Sequence, residues 1–178
     1  MQSPLIKKFI AISESQRNEY IKYNNIPANK IAIIPNGIDA KLFESIDVDH
    51  DIDHQILWSS SYFRGAKILI DYVAPVVRKY ISDFNVRMCT PVYCKDKMTH
   101  TNVVDYIGHL SKRELVEEMK LHSCWWYPSI FNETFCITSL EAALCGNELI
   151  LPLINGPETT FKDFRAYVSM NTDMSSPQ

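Results

Sequence analysis

Two carboxylates eight residues apart, Glu133 and Glu141, sit inside an otherwise apolar stretch, FNETFCITSLEAALCG, Phe131 to Gly146. A helix drawn from Glu133 puts Ile137 at the centre of its buried stripe, with Leu140 and Leu144 beside it, at ~100° per residue. The glutamates then flank that stripe, about 40° to either side. At 1.5 Å per residue they stand ~12 Å apart along the axis. An unpaired carboxylate is costly to bury, so each needs a partner or a cleft. Glu133 has a plainer role open to it, as a first-turn acid favoured by the helix dipole. Glu141 has one too, as a stripe-edge acid paired with a lysine. Acting together, the two can hold the hydroxyl-rich ends of an elongated ligand.

A charged middle to such a ligand calls for cations or backbone N–H donors. SSSYFRGAK, Ser59 to Lys67, offers both. It follows a strand pattern and opens a helix pattern. Gly65 lets the backbone come close, and Arg64 and Lys67 bring positive charge; an ordinary exposed arginine is the competing reading of Arg64. A nucleotide sugar, with ribose, diphosphate and hexose in line, has the required form.

The elements that must position these groups alternate along the chain. Strand patterns fall at Phe9 to Ile12, Ile31 to Ile34, Gln55 to Ser60, Asn85 to Cys89, Val103 to Ile107, Cys124 to Pro128, Glu148 to Leu151 and Ala166 to Val168. Ser13–Gln16 and Ser111–Glu114 read as capping boxes, opening helices to about Tyr23 and Leu121. A helix over Ala66 to Tyr80 contains Pro75, which must kink or split it. The first helical residues of the opening stretch follow the strand that ends at Pro128, and NGPET reads as a loop before a short helical turn. This alternation predicts an α/β fold, a Rossmann-like parallel sheet with helices on both faces. In such sheets the ligand cleft lies at the carboxyl ends of the strands.

The bulk numbers exclude several classes. With 178 residues, 46% hydrophobic and 22% charged, the chain reads as one soluble domain over residues 1–170, followed by a disordered tail at 171–178. A net charge of −3 without a Lys/Arg run gives no attraction to nucleic acid. No apolar run approaches the ~18 residues of a transmembrane segment, and the apolar part of MQSPLIKKFIAIS is too short for a signal peptide. The five cysteines form no C-x-x-C pair and read as buried free thiols of a reducing, cytoplasmic setting. His50, Asp51, Asp53 and His54 are a conceivable metal cluster. A solvated linker is the better reading there, because nothing fixes a coordination geometry.

Four blocks, in order, resemble retaining glycosyltransferases of the GT-B fold, family four (glycosyl transferases group 1). PSIFNETFCITSLEAALCG is similar to their E-x7-E region. IAIIPNGID is similar to their interdomain segment, which makes residues 1–40 interdomain-derived. SSSYFRGAKILI resembles the phosphate-binding loop, and YIGHLSKRELVEEM the strand, Gly-His turn and helix before the motif. The resemblance covers roughly Phe9 to Phe161. It implies the C-terminal, donor-binding half of a GT-B fold, with the N-terminal acceptor domain absent. It also implies hexosyl transfer with retention from a nucleoside-diphosphate sugar, no metal and no cofactor beyond that substrate.

Carried over by residue, Glu133 contacts the sugar and Arg64 neutralises the departing diphosphate, with Lys67 as helper. Backbone N–H groups of Phe135, Cys136 and Ile137 face the phosphate or sugar, Glu141 takes the ribose hydroxyls, and Thr134, Gly108 and His109 complete the substrate-binding set. The sequence departs from the family where Ser59–Ser60 replaces a Gly-Arg pair. It departs again where Glu133-Thr134-Phe135-Cys136 replaces Glu-Gly-Phe-Gly, which narrows the sugar pocket. A separate acceptor-binding domain or chain is the expected partner, self-association and a peripheral place at a membrane surface being alternatives. A non-catalytic sugar-nucleotide-binding or interaction module is the second functional reading.

Overall fold

β-Branched and aromatic runs set the strands, and the turns between them carry Gly, Pro, Asn and Ser. A computed structural model describes residues 5–47, 49, 52, 54–94, 101–129, 131–161 and 167–169. His50, Asp51 and Asp53 of the conceivable metal cluster lie outside these residues, as does the 171–178 tail. The chain divides into two compact units. One comprises Met1–Ile38, Asn132–Ile137 and Leu153–Phe164; the other comprises Asp39–Phe131, Thr138–Pro152 and Arg165–Gln178.

In the smaller unit, β1 (Phe9–Ala11) pairs in parallel with β2 (Ile31–Ile33), and α1 (Glu14–Asn24) crosses between them. Ser13 caps α1 by accepting the Gln16 N–H at 3.1 Å. Gln16 returns the bond to the Ile12 N–H at 2.8 Å, one residue earlier than the usual box. Ala11, Ile26 and Ile31 form the core, with Phe9, Tyr20 and Ile21 against it. Beyond the chain's middle lies α7 (Asn155–Phe161), where a loop is expected. Asn-Gly-Pro reads as a turn, but Pro157 falls in the first helical turn, where its missing N–H costs no bond. Phe161 is fully buried.

The larger unit holds six parallel strands: β3 (Gln55–Ser59), β4 (Asn85–Cys89), β5 (Val104–Gly108), β6 (Cys124–Trp126), β7 (Glu148–Leu151) and β8 (Tyr167–Ser169). Their spatial order is β5-β4-β3-β6-β7-β8. The chain runs outward from β3 to β5, then returns to lay β6 on the other flank of β3. The order therefore reverses between β3 and β6, and in open α/β sheets the ligand crevice lies outside the carboxyl ends of the strands at such a reversal. Helices flank the sheet as the alternation predicts. α5 (Lys112–Leu121) carries the full Ser111–Glu114 capping box. A short helix not anticipated from the sequence, α2 (Ala40–Glu44), is capped by Asp39 and anchored by buried Phe43. Buried Lys120 donates to the carbonyls of Phe43 and Ile46, so its charge is solvated by backbone.

Pro75 splits its helix. The chain runs as α3 (Ala66–Ile68), a π-helical turn at Leu69–Val73, and α4 (Ala74–Val77), with Pro75 in the first turn of α4. Widening the turn before the proline removes the clash between its ring and the preceding turn.

Candidate functional site

Two buried indoles fix the carboxyl end of β3. Trp58 donates to the Ser60 carbonyl at 2.8 Å, and Trp125 donates to the Ser59 hydroxyl at 2.9 Å. The Ser59 hydroxyl and the Ser60 carbonyl thus hold the strand end. The chain then makes a 3₁₀ turn, Tyr62–Arg64, and Gly65 follows at φ 125°. A Cβ on Gly65 would meet the Pro128 carbonyl oxygen at 2.7 Å. Both the dihedral and the approach demand glycine. That contact seats the loop after β3 against the loop after β6, at the sheet's reversal point. Arg64 lies over the Phe131 ring, its guanidinium carbon 4.2 Å from the centroid, with Phe63 edge-on to the same ring at 6.4 Å. The cation is held by an aromatic face at the crevice.

Lys67 is placed differently. It pairs with Asp71 one turn on along the exposed surface, and the Asp71 bond holds its pKa above the usual lysine range. Of the two predicted cations, the structure ties Arg64 to the crevice loops and matches the charge of Lys67 locally.

At the carboxyl end of β5, Gly108 adopts φ 82°, and β4 and β5 slip register by one residue beside it. The His109 Nδ1 is 2.7 Å from the Thr90 carbonyl, which only accepts, so Nδ1 carries the proton and Nε2 is left as an acceptor in the neutral ring. Thr90 also bonds the Tyr106 hydroxyl at 2.9 Å. Three residues after His109, the Lys112 ammonium at the start of α5 pairs with the Glu141 carboxylate. Glu141 is 3% exposed. The lysine supplies the partner that burial requires.

The helix carrying Glu141 departs from expectation twice. α6 spans Ile137–Leu144, four residues later than a start at Glu133. The preceding residues are held out of the helix: the Gly156 N–H donates to the Glu133 carbonyl at 2.8 Å, the Thr160 hydroxyl donates to the Phe135 carbonyl at 3.2 Å, and Cys136 sits at φ 62°. The buried face is also rotated. Ser139, Glu141 and Ala142 are buried, with Cys145 just beyond the helix, whereas Ile137 and Leu144 are exposed at 38% and 46%. Small side chains let this face close tightly, and Lys112 offsets the charge it includes. Glu141 therefore lies on the buried face instead of flanking it.

Glu133 belongs to the smaller unit, with Thr134, Phe135, Cys136 and Ile137. Glu133 and Thr134 are half-buried; Phe135 and Cys136 are buried. A Cβ on Gly156 would lie 2.4 Å from the Thr134 carbonyl carbon and 2.5 Å from the Phe135 nitrogen. Close backbone contact with α7 thus shapes the loop that carries Glu133. Asn132 donates to the Glu19 carboxylate at 2.6 Å and ties the same loop to α1. Sequence reasoning missed Lys112, Phe131 and Asn132. The only signal for Lys112 was its place directly after the Ser111 cap.

Three of the five thiols are not poised for chemistry. Burial pushes Cys89 up to about 12 and Cys124 and Cys145 up to about 11. Among the described residues no group of three His, Cys, Asp or Glu is arranged to hold a metal, and no helix is long and apolar enough to cross a membrane.

No protein-family model and no curated protein matches the sequence. Solved structures do. A glycosyltransferase from Rickettsia africae superposes with a TM-score of 0.71 at 15% identity, over 93% of this chain and 50% of that one. WaaG, a glycosyltransferase involved in lipopolysaccharide biosynthesis, gives 0.67 at 18%, over 88% and 47%. Anabaena HepE in complex with UDP-glucose gives 0.65 at 17%, over 85% and 46%. The chain therefore has the Rossmann-like architecture of a GT-B glycosyltransferase fold, and it spans about half the length of the structures it matches.

Proposed function

We propose that this chain is the donor-binding part of a glycosyltransferase and takes a nucleoside-diphosphate sugar. One observation carries the reading: Arg64 lies over the Phe131 ring in the loop that Gly65 seats against Pro128, at the point where the strand order reverses. An arginine held over an aromatic face presents N–H donors in a fixed plane, the arrangement a diphosphate recognises. A similar structure, HepE, holds UDP-glucose, which supports this ligand class.

In this reading Arg64 stabilises the charge that grows on the diphosphate as the sugar–oxygen bond breaks, the main electrostatic contribution to catalysis. Glu141 accepts the ribose hydroxyls while its ion pair with Lys112 fixes its position. Glu133 contacts the sugar, and the backbone of Thr134, Phe135, Cys136 and Ile137, which leads into the start of α6, faces the phosphate or sugar. Gly108 and His109 lie on the nucleoside side, with Nε2 as acceptor. Lys67 is at most an outer contributor, given its pairing with Asp71. We further infer family-four membership, hexosyl transfer with retention, no need for a metal, and one donor-binding domain over residues 1–170. The acceptor site is completed by a further domain or chain.

A second reading, a non-catalytic sugar-nucleotide-binding or interaction module, is favoured by one feature: Lys112 already satisfies Glu141, so that carboxylate serves packing even without a nucleotide. Calorimetry of the chain with UDP, GDP and ADP, repeated on Arg64→Ala, separates the cases. Binding that falls about tenfold in the variant supports the donor site. No binding of any diphosphate removes it.

A further inference from the structure

Within the smaller unit, α1 and α7 lie side by side, and the faces they turn to each other have the wrong chemistry for helix packing. On α1 the stripe is Ser15, Asn18, Glu19 and Lys22, at i, i+3, i+4 and i+7. On α7 it is Asn155, Glu158 and Thr159, again at i, i+3 and i+4. Helices that meet normally bury apolar residues at those positions. Here both stripes are polar, and between them is a cleft of ≈ 270 Å³.

Three features narrow what fits. The volume is below the ~300 Å³ at which pockets for drug-sized ligands begin, so the occupant is one ring in size. The lining carries amide, hydroxyl and carboxylate groups and no aliphatic side chain, which disfavours a lipid or apolar ligand. Two carboxylates, Glu19 and Glu158, against one ammonium, Lys22, disfavour an anion such as phosphate. Tyr23, 68% exposed, contributes an aromatic ring to the lining, with the Lys22 ammonium over one face at 4.9 Å from its centroid. An aromatic face among hydrogen-bonding side chains suits a molecule with an apolar C–H face and a hydroxyl rim. The cleft also adjoins the loop bearing Glu133. Glu19 accepts from Asn132, and the helix holding Glu158 is bonded through Gly156 to the Glu133 carbonyl.

We propose that the α1–α7 cleft is a binding site for a neutral sugar ring, and that this ring belongs to the acceptor. The acceptor assignment rests on the donor reading above; the sugar site itself does not. The test is amide NMR on the full chain. Glucose, galactose, mannose and N-acetylglucosamine are titrated to tens of millimolar, which reaches the weak affinities of single rings. Each titration is run with and without UDP, beside glucuronate as the anionic control.

At least one neutral sugar should saturate shifts at Asn18, Tyr23 and Glu158, add to UDP rather than compete with it, and exceed glucuronate. Tyr23→Ala and Glu158→Gln should each weaken that sugar about tenfold while the UDP affinity stays in place. Failure of every sugar to move the cleft resonances, or equal loss of sugar binding to added UDP, overturns the proposal. UDP binding is read in the same samples. A sugar that binds without UDP binding keeps the cleft and removes the donor reading, and the converse removes only the cleft.

Discussion

Replacing Gly156 by alanine sets two effects of opposite sign against each other. Gly156 lies inside α7, where alanine is favoured over glycine by about 1 kcal/mol. Propensity alone therefore predicts a more stable protein. The added methyl, however, meets three backbone atoms: the Thr134 carbonyl carbon at 2.4 Å, the Phe135 nitrogen at 2.5 Å and the Glu133 oxygen at 2.7 Å. None belongs to a flexible side chain that can swing aside, so the loop must move. Overpacking of this kind costs ~1–3 kcal/mol. Moving the loop also strains the Gly156–Glu133 hydrogen bond, worth about 1 kcal/mol. Against the propensity gain, the net expectation is a loss of ~1–3 kcal/mol. In urea, with a slope of roughly 2 kcal/mol per molar, the midpoint should fall by about 1 M. Ligand binding gives a second readout, because the displaced backbone carries Glu133. UDP-sugar affinity should drop more than UDP affinity. A midpoint that stays or rises would refute the contact, since only the propensity would then be acting.

Other consequences can be checked with the same material. Glu141→Ala should weaken UDP binding about tenfold by calorimetry, and Lys112→Ala should leave a buried carboxylate without its cation, lowering the urea midpoint more than a surface Lys67→Ala does. Cys136 occupies a left-handed backbone at φ 62°. Cys136→Gly should therefore cost little or stabilise by up to ~1 kcal/mol, whereas Cys136→Val, β-branched, should destabilise clearly in the same urea series. The buried thiols make stability fall in alkali. Burial raises the pKa values of Cys89, Cys124 and Cys145 in the folded protein to about 11 or 12 from the ordinary thiol value of 9.0. Their contribution is complete below about pH 9 and is lost as pH rises through the window between the two values. Melting followed from pH 8 upward should show the decline, and Cys145→Ala should reduce its slope.

Much of the frame was legible in the residues. Every strand of the sheet was anticipated to within a residue or two, because parallel strands buried on both faces read as short β-branched or aromatic runs between turn residues. The Ser13 and Ser111 caps were legible for a local reason: their hydrogen bonds close within four residues. What failed depended on distant partners. The start of α6 is set by bonds from Gly156 and Thr160, more than twenty residues along the chain. Its buried face is set by how closely small side chains can approach, which hydrophobicity alone misreads: Ile137 and Leu144 looked like core and are exposed. α7 was hidden because Asn-Gly-Pro is turn chemistry until the proline is known to sit in a first helical turn.

The sequence by itself determined that this is a strand–helix alternating chain and singled out Arg64, Glu133 and Glu141 as candidates for its chemistry, since residue type, spacing and local caps are properties of short segments. Only the tertiary structure decided what each group meets. Folding laid Arg64 on Phe131, gave Lys67 to Asp71, joined Lys112 to Glu141 across 29 residues, and set two polar helix stripes face to face. Those pairings come from strand order and helix rotation, which are fixed when the whole sheet assembles and which no short window of sequence contains.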